Sequence, residues 1–233
     1  MIRTANILCL TIQCQPAHYL TYHSRYSSME RRMTRENYSK DSEYHTQRNN
    51  AVVPYSSCNT TSLVMALKQA RWPIPERGMQ PEDDLSKFLQ TPEAHAKLKD
   101  LAPWFVGTFP PQEVHATLEW GTNEWMKGTA DRFTLGATSK DLVMALSTGG
   151  GAVLSGRFPR EGAPDMGHIV SLAGFVRKNG EITHWVIDDP YGDWHSNYQN
   201  HHGNDIAYTH DEFDTIFRRD TGFYWAHLIR RCK

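Results

Sequence analysis

Four cysteines in 233 residues are too few, and too scattered, to staple a fold together. Cys9, Cys14, Cys58 and Cys232 make no CxxC pair, so neither a disulfide framework nor a zinc ribbon is called for. Excess charge is also missing. With 25 Lys+Arg against 26 Asp+Glu the chain lacks the broad basic surface of a nucleic-acid binder, and no nucleic-acid partner is expected. No apolar run approaches the roughly 20 residues that span a bilayer, so no membrane span is expected. "MIRTANILCLTIQC" has one Arg and a short apolar patch broken by polar residues, a weak likeness to a secretory signal. Localisation stays open between the cytoplasm and release to a cell wall.

Two further patterns are incomplete. "STGGGAVLSG" lacks the Lys-Ser/Thr ending of a phosphate-cradling loop and runs from helix into strand, the reverse of the needed order. "WHSNYQNHHGND" gathers His195, His201 and His202 with Asp193 and Asp205, at spacings that match neither HExxH nor a Cys/His zinc pattern. A turn-rich solvated loop is the expectation there, with no metal and no cofactor.

What remains is an ordinary globular composition, 39% hydrophobic and 22% charged, in a chain long enough to bury a real core. Residues 1–43 are polar and without sustained apolar period, and are expected to form a flexible N-terminal arm. The compact domain is expected over 44–233. Leu63, Ala66, Leu67 and Ala70 recur at helical spacing after Asn59, and that helix should stop before "WPIPERG". "PEDDLSKFLQ", "PEAHAKLKDLA" and "PQEVHATLEWG" each open with Pro and an early acid, as helices do, and "SKDLVMALSTGGG" reads as a helix capped by Ser139. The period then changes to that of strands: "AVLSGRF", "HIVSLAGFVR", "EITHWVIDDP" and "FYWAHLIRR", with "KNGE" as an Asn-Gly hairpin. Helices first and an antiparallel sheet afterwards make the fold class α+β.

Three residues carry chemistry in this order. Cys58 in "YSSCNTTS" sits at a predicted helix start, where unsatisfied amides and the positive end of the helix dipole favour a thiolate. His168 in "GHIVSLAGF" opens a strand, from which an imidazole can exchange a proton with a thiol on a facing helix. "WVIDDPYG" ends a strand with Asp188 and Asp189, either of which can hold the imidazole tautomer. Each has an ordinary reading by itself, as a buried thiol, a loop histidine and a turn opener. Trp185 and Trp194, close to the acids, are more often packing residues but are candidates to line a substrate groove.

The segments "QRNNAVVPYSSCNTTSLVMAL", "GHIVSLAGF" and "VIDDPYGDW" together resemble the papain-like cysteine peptidases of the bacteriocin-leader-processing (double-glycine) type and their stand-alone phage and bacterial relatives, over residues 44–233. The resemblance implies a papain-like fold, with N-terminal helices carrying the Cys packed on an antiparallel sheet carrying the His and Asp. It makes Cys58 the nucleophile, His168 the general base, Asp189 rather than Asp188 the orienting acid, and Gln47 the side-chain donor of the oxyanion hole beside the Cys58 amide. There are two departures: Asn59 stands where many members have Gly, which makes it a candidate substrate-shape residue, and Gln47 lies eleven positions before Cys58, a long gap. The implied activity is a monomeric amide hydrolase cutting the stem peptides of bacterial peptidoglycan, as a lysin does. The alternatives are a protease that processes a protein or leader-peptide precursor, and a non-catalytic binding module on the same scaffold.

Overall fold

A computed structural model describes residues 33–105, 110–160 and 162–233. The expectations that fall on residues 1–32, including the signal-like stretch and Cys9 and Cys14, lie outside the described residues.

The described chain begins with a strand, β1 (Met33–Asn37), inside the segment expected to be an arm. β1 pairs antiparallel with the far end of β4, Met33 opposite Lys178, so this stretch belongs to the sheet although its own composition is polar. Backbone pairing needs no apolar side chains, and β1 is mostly exposed. Four helices follow: α1 (Cys58–Gln69), α2 (Pro81–Leu89), α3 (Pro92–Leu101) and α4 (His115–Met126). Then come β2 (Asp131–Ala137), α5 (Ser139–Ser147), β3 (Gly151–Arg160), β4 (Ala163–Lys178), β5 (Glu181–Asp188), β6 (Ile206–Thr209), α6 (His210–Phe217) and β7 (Tyr224–Ile229).

The architecture is α+β, as read from the sequence. The strands run in the order β2-β7-β3-β4-β5-β6, all neighbours antiparallel. β4 has 16 residues, enough to pair β3 along its first part and β1 along its last on the same edge, with β5 on the other. The β4–β5 connection turns through Asn179 and Gly180, both at positive φ (55° and 88°), which is the Asn-Gly hairpin expected.

The sheet has helices on both faces. Val153 and Ile229 pack with Leu63 and Leu67 of α1, Leu85 and Leu89 of α2, and Leu118 and Trp125 of α4. Their strand neighbours Ala152, Leu154 and Ala226 point the other way, onto Leu142 and Leu146 of α5 and Phe213, Ile216 and Phe217 of α6. Each fully buried Leu or Phe contributes about 1.5–3 kcal/mol of transfer free energy, so α1 is fixed by packing on the sheet.

Besides β1, three elements were not expected from sequence. β2 and β6 are short strands of mixed polarity, and α6 lies in a stretch where no helix was read. The cap of α5 also differs: Thr138, one residue before Ser139, accepts from the Asp141 amide while the Asp141 carboxylate accepts from the Thr138 amide.

Candidate active site

The polar stretch around Cys58 is polar because it is buried and tied down. Asn59, Thr60, Thr61 and Ser62 are all 2% exposed or less, and each side chain has a partner from a different part of the fold. Asn59 Nδ2 donates to Gln112 O (2.8 Å), the Thr60 hydroxyl meets Ser86 Oγ of α2 (2.9 Å), Thr61 Oγ1 accepts from Asn50 Nδ2 (3.0 Å), and Ser62 Oγ donates to Ile169 O of β4 (3.0 Å). These four bonds tie the first turn of α1 to β4, to α2 and to the segments at Asn50 and Gln112. Ser57, at the cap position, does not cap the helix with its side chain; its Oγ accepts from Asn50 Nδ2. Cys58 is therefore the first residue of a helix whose leading amides have no intrahelical partner.

His168 stands on β4 one residue before Ile169, close enough to the Cys58 thiol for the two to interact electrostatically. The other side of the ring faces Asp189: Nε2 lies 2.7 Å from Asp189 Oδ1. Since Nε2 is occupied by the carboxylate, Nδ1 is the nitrogen left to face the thiol. His168 is 4% exposed and Asp189 0%. Burial works against a charge on His168, but the Asp189 charge and hydrogen bond, with the Cys58 thiol behind them, outweigh it and hold the imidazole up at about 10. The imidazolium is thus the form this site favours at neutral pH.

Asp189 is itself held from several directions. Its Oδ1 accepts from the Tyr191 amide (2.8 Å) and its Oδ2 from the Tyr198 hydroxyl (3.4 Å). Burial and then the Asp189 charge push the Tyr198 phenol up, so it stays a donor. The Asp189 amide donates to Gly203 O (2.8 Å), and a Cβ on Gly203 would lie 2.1 Å from Asp189 O, so only glycine fits there. The histidine-rich loop thus supplies Tyr198 and Gly203 to the acid.

The segment "YHTQRNN" is the other half of that support. Tyr44 OH donates to Asp189 O (3.1 Å), the Gln47 amide (2.9 Å) and Thr46 Oγ1 (3.2 Å) donate to Pro190 O, and Arg48 Nε donates to Tyr191 O (2.6 Å) with its guanidinium 3.9 Å over the Tyr191 ring. A segment ahead of the Cys and a turn after the His are therefore one structural unit.

Asp188 faces away from the imidazole. It is 1% exposed and its Oδ1 accepts from the Asp205 amide (2.9 Å). Burial pushes its carboxyl up to about 6, partly offset by the Asp205 amide. Gln47 is 2% exposed; its Nε2 donates to Pro54 O (2.9 Å) and so bridges the loop before Cys58 to the turn after Asp189. One of the two Nε2 hydrogens remains beyond that bond.

Of the three residues expected at the substrate surface, two are buried. Asn59 is buried and clasps the Gln112 backbone, as above. Trp185 is 0% exposed and stacks on Phe213 with centroids 4.7 Å apart, so it has no surface to offer a substrate. Trp194 is half-buried and lines a pocket with Pro159, His195, Asn197 and Glu212, and it lies edge-on to Phe158 (6.1 Å), which in turn packs edge-on to His168 (5.2 Å). The site's supporting residues Asn50, Tyr44, Tyr198 and Gly203 were not read from sequence. Tyr44 and Asn50 bound the "YHTQRNN" segment, and Tyr198 and Gly203 lie in "WHSNYQNHHGND", which was expected to be a turn-rich solvated loop.

Among solved structures nine chains match. One of them, described as a "putative C39-like peptidase" from Bacillus anthracis, is 14% identical, covers 85% of this chain and 100% of its own, and superposes with a TM-score of 0.52. The chain shares the fold of that structure. No family model matches the sequence, and no curated protein does. In this papain-like fold, N-terminal helices lie against an antiparallel sheet, here with Cys58 on the first helix and His168 on the longest strand. None of the described helices is long and apolar enough to cross a membrane.

Proposed function

We propose that the protein is a cysteine peptidase in which Cys58, His168 and Asp189 act as nucleophile, general acid and base, and orienting carboxylate. One observation carries this reading: an imidazole coupled to a helix-start thiol and standing, through Nε2, 2.7 Å from a buried carboxylate. The Cys58 thiolate attacks the amide carbonyl carbon, forming the C–S bond and moving the carbonyl π pair onto oxygen. The Cys58 amide and the remaining Nε2 hydrogen of Gln47 are the donors for that oxyanion. His168 gives its proton to the amine nitrogen as the C–N bond breaks, leaving a thioester. Water then attacks the thioester with His168 as base, releasing the acid and restoring the thiol.

The substrate we propose is the stem peptide of bacterial peptidoglycan, supported by the resemblance of the three quoted segments to stand-alone phage and bacterial enzymes. Zymography on purified cell walls beside a denatured-casein assay tests it, with Cys58→Ala as control. Clearing of the wall by the wild-type protein only is expected. Casein cleavage without wall lysis makes it a general or precursor-processing protease, and activity that survives Cys58→Ala removes the nucleophile.

A further inference from the structure

A charged cavity of about 570 Å³ is lined by the stretches of β3 and β4 that flank His168, though not by His168 itself. Two of its walls are immediate neighbours of that histidine: Gly167 precedes it in the chain, and Gly156 is its partner across the β3–β4 register. β7 pairs with β3 only as far as Leu154, so the β3 edge from Ser155 onward has no β7 partner. Arg219 covers part of that edge. Its Nη2 donates to Ser155 O (2.8 Å) and Ser155 Oγ (3.2 Å), and its guanidinium carbon lies 4.7 Å from the Trp225 ring centroid. The guanidinium is thereby fixed in orientation before any ligand arrives.

Its remaining capacity is unused. Arg219 Nε is buried without a hydrogen-bond partner among the described residues. Arg157 lines the same cavity, and neither guanidinium has a carboxylate within ion-pair distance among the described residues, whereas Arg218 on the same wall pairs with Asp214 at 2.8 Å. Asp165 and Asp220 also lie on the cavity wall, and neither closes onto the two free guanidiniums. Burial first, and then the like charge of Arg157, pull the Arg219 pKa down against the opposing pull of Asp220. A carboxylate placed between Arg219 and Arg157 would satisfy the orphaned donor and relieve that repulsion.

We propose that this cavity is a specificity pocket holding a carboxylate of the peptide substrate against Arg219 and Arg157, next to the bond on which Cys58 and His168 act. The proposal rests on the peptidase reading for its substrate class. Trp225 supplies the apolar wall for the carbon atoms that carry the acid. The carboxylate belongs either to an acidic side chain or to a free C-terminus, and peptides distinguish the two.

The test is binding, which needs no turnover. Cys58→Ala protein is titrated calorimetrically at low salt with acetyl-Ala-Glu-Ala-amide, acetyl-Ala-Gln-Ala-amide, acetyl-Ala-Ala-Ala acid and its amide. At least one acid is expected to bind about tenfold tighter than its neutral counterpart, as a charge-assisted bond requires. The preference should shrink with added salt, disappear in Arg219→Gln and weaken in Arg157→Gln. Arg157 is exposed and its side chain makes no hydrogen bond among the described residues, so that variant keeps its fold if Arg219→Gln does not. Equal binding of acids and neutral peptides, or a preference that survives Arg157→Gln and Arg219→Gln alike, overturns the pocket. Cys58-dependent cleavage with no acid preference overturns the pocket alone, and an acid preference in a protein whose Cys58 proves inert overturns the peptidase reading alone.

Discussion

Replacing Asp189 by Asn keeps an oxygen for His168 Nε2 to donate to but removes the charge, which separates the electrostatic role of this residue from its orienting role. In the wild-type site burial opposes the imidazolium, and Asp189 with Cys58 lifts its pKa to about 10 from an ordinary 6.5. The alkaline limb of kcat/KM should therefore lie near pH 10. An opposite charge at hydrogen-bond distance shifts a pKa by about 1–3 units, so in Asp189→Asn the limb should fall to between about pH 7 and 9. The stability change has the same sign. A folded-state pKa above the unfolded one stabilises the fold fully below about pH 6.5 and loses that contribution as pH rises through about 10. In Asp189→Asn the loss is complete at the lower pH. NMR titration of the His168 ring reads the shift without any substrate, and urea midpoints from pH 6 to 10 read the stability. Asp189→Ala goes further, stripping His168 Nε2, the Tyr191 amide and the Tyr198 hydroxyl of their acceptor. Breaking a buried pair of this kind costs about 3–5 kcal/mol, and kcat should fall on the order of 10³–10⁴-fold. An imidazole that titrates at the same pH in wild type and Asp189→Asn would refute the reasoning.

Other substitutions follow from the same geometry. Asp188→Asn should change kcat/KM by less than about threefold, since its carboxylate bonds the Asp205 amide and not His168. Because burial raises the Asp188 carboxyl to about 6, the native fold binds a proton there more tightly than the unfolded chain, and stability falls as pH rises from about 3.8 to 6. The Asn variant should lose that slope in acid-range denaturation curves. Gly203→Ala should drive its Cβ into Asp189 O, 2.1 Å away, lowering the urea-derived stability by about 1–3 kcal/mol and kcat at least tenfold by shifting the acid. Asn59→Ala leaves Gln112 O without its buried donor and should cost about 1–3 kcal/mol, read by thermal melting, while KM stays near wild type. Trp185→Ala should cost about 3–5 kcal/mol in stability, read from urea midpoints, with KM unchanged in the fraction that folds.

Much of the fold was legible where local rules dominate. α2 and α3 announced themselves by Pro and early acids, α1 and α5 by apolar spacing and polar starting residues, and the hairpin by Asn179-Gly180, but the Pro and acid expected to open α4 belong to a separate 3-10 turn, Pro111–Glu113, and α4 starts at His115. β1 was illegible because its stability comes from pairing with the distant end of β4 and not from its own side chains. The first-turn acids of α2 were legible only as helix-start signals. In the fold they are buried and bonded, Glu82 to His45, Asp83 to the Ala51 and Val52 amides, and Asp84 to Trp125 Nε1.

The candidate site divides in the same way. Cys58 and the Asp pair were readable because they mark a helix start and a strand end, whereas His168, expected to open a strand, lies five residues inside β4, because the polar stretch from Ala163 to Gly167 is held in the strand by backbone pairing with β3. Which Asp meets the imidazole depends on the alternation at the end of β5, and the two neighbours point to opposite sides.

By itself the sequence determined the α+β order and the stations of thiol, imidazole and carboxylate along the chain, since these follow from contacts between near neighbours. Only the tertiary structure decided what the polar residues around Cys58 are for. Asn59, Thr60, Thr61 and Ser62 reach partners 11 to 107 positions away in the chain, and no local pattern encodes a hydrogen bond across that distance. Burial made those bonds obligatory, because each unpaired polar group inside the fold would cost about 1–3 kcal/mol.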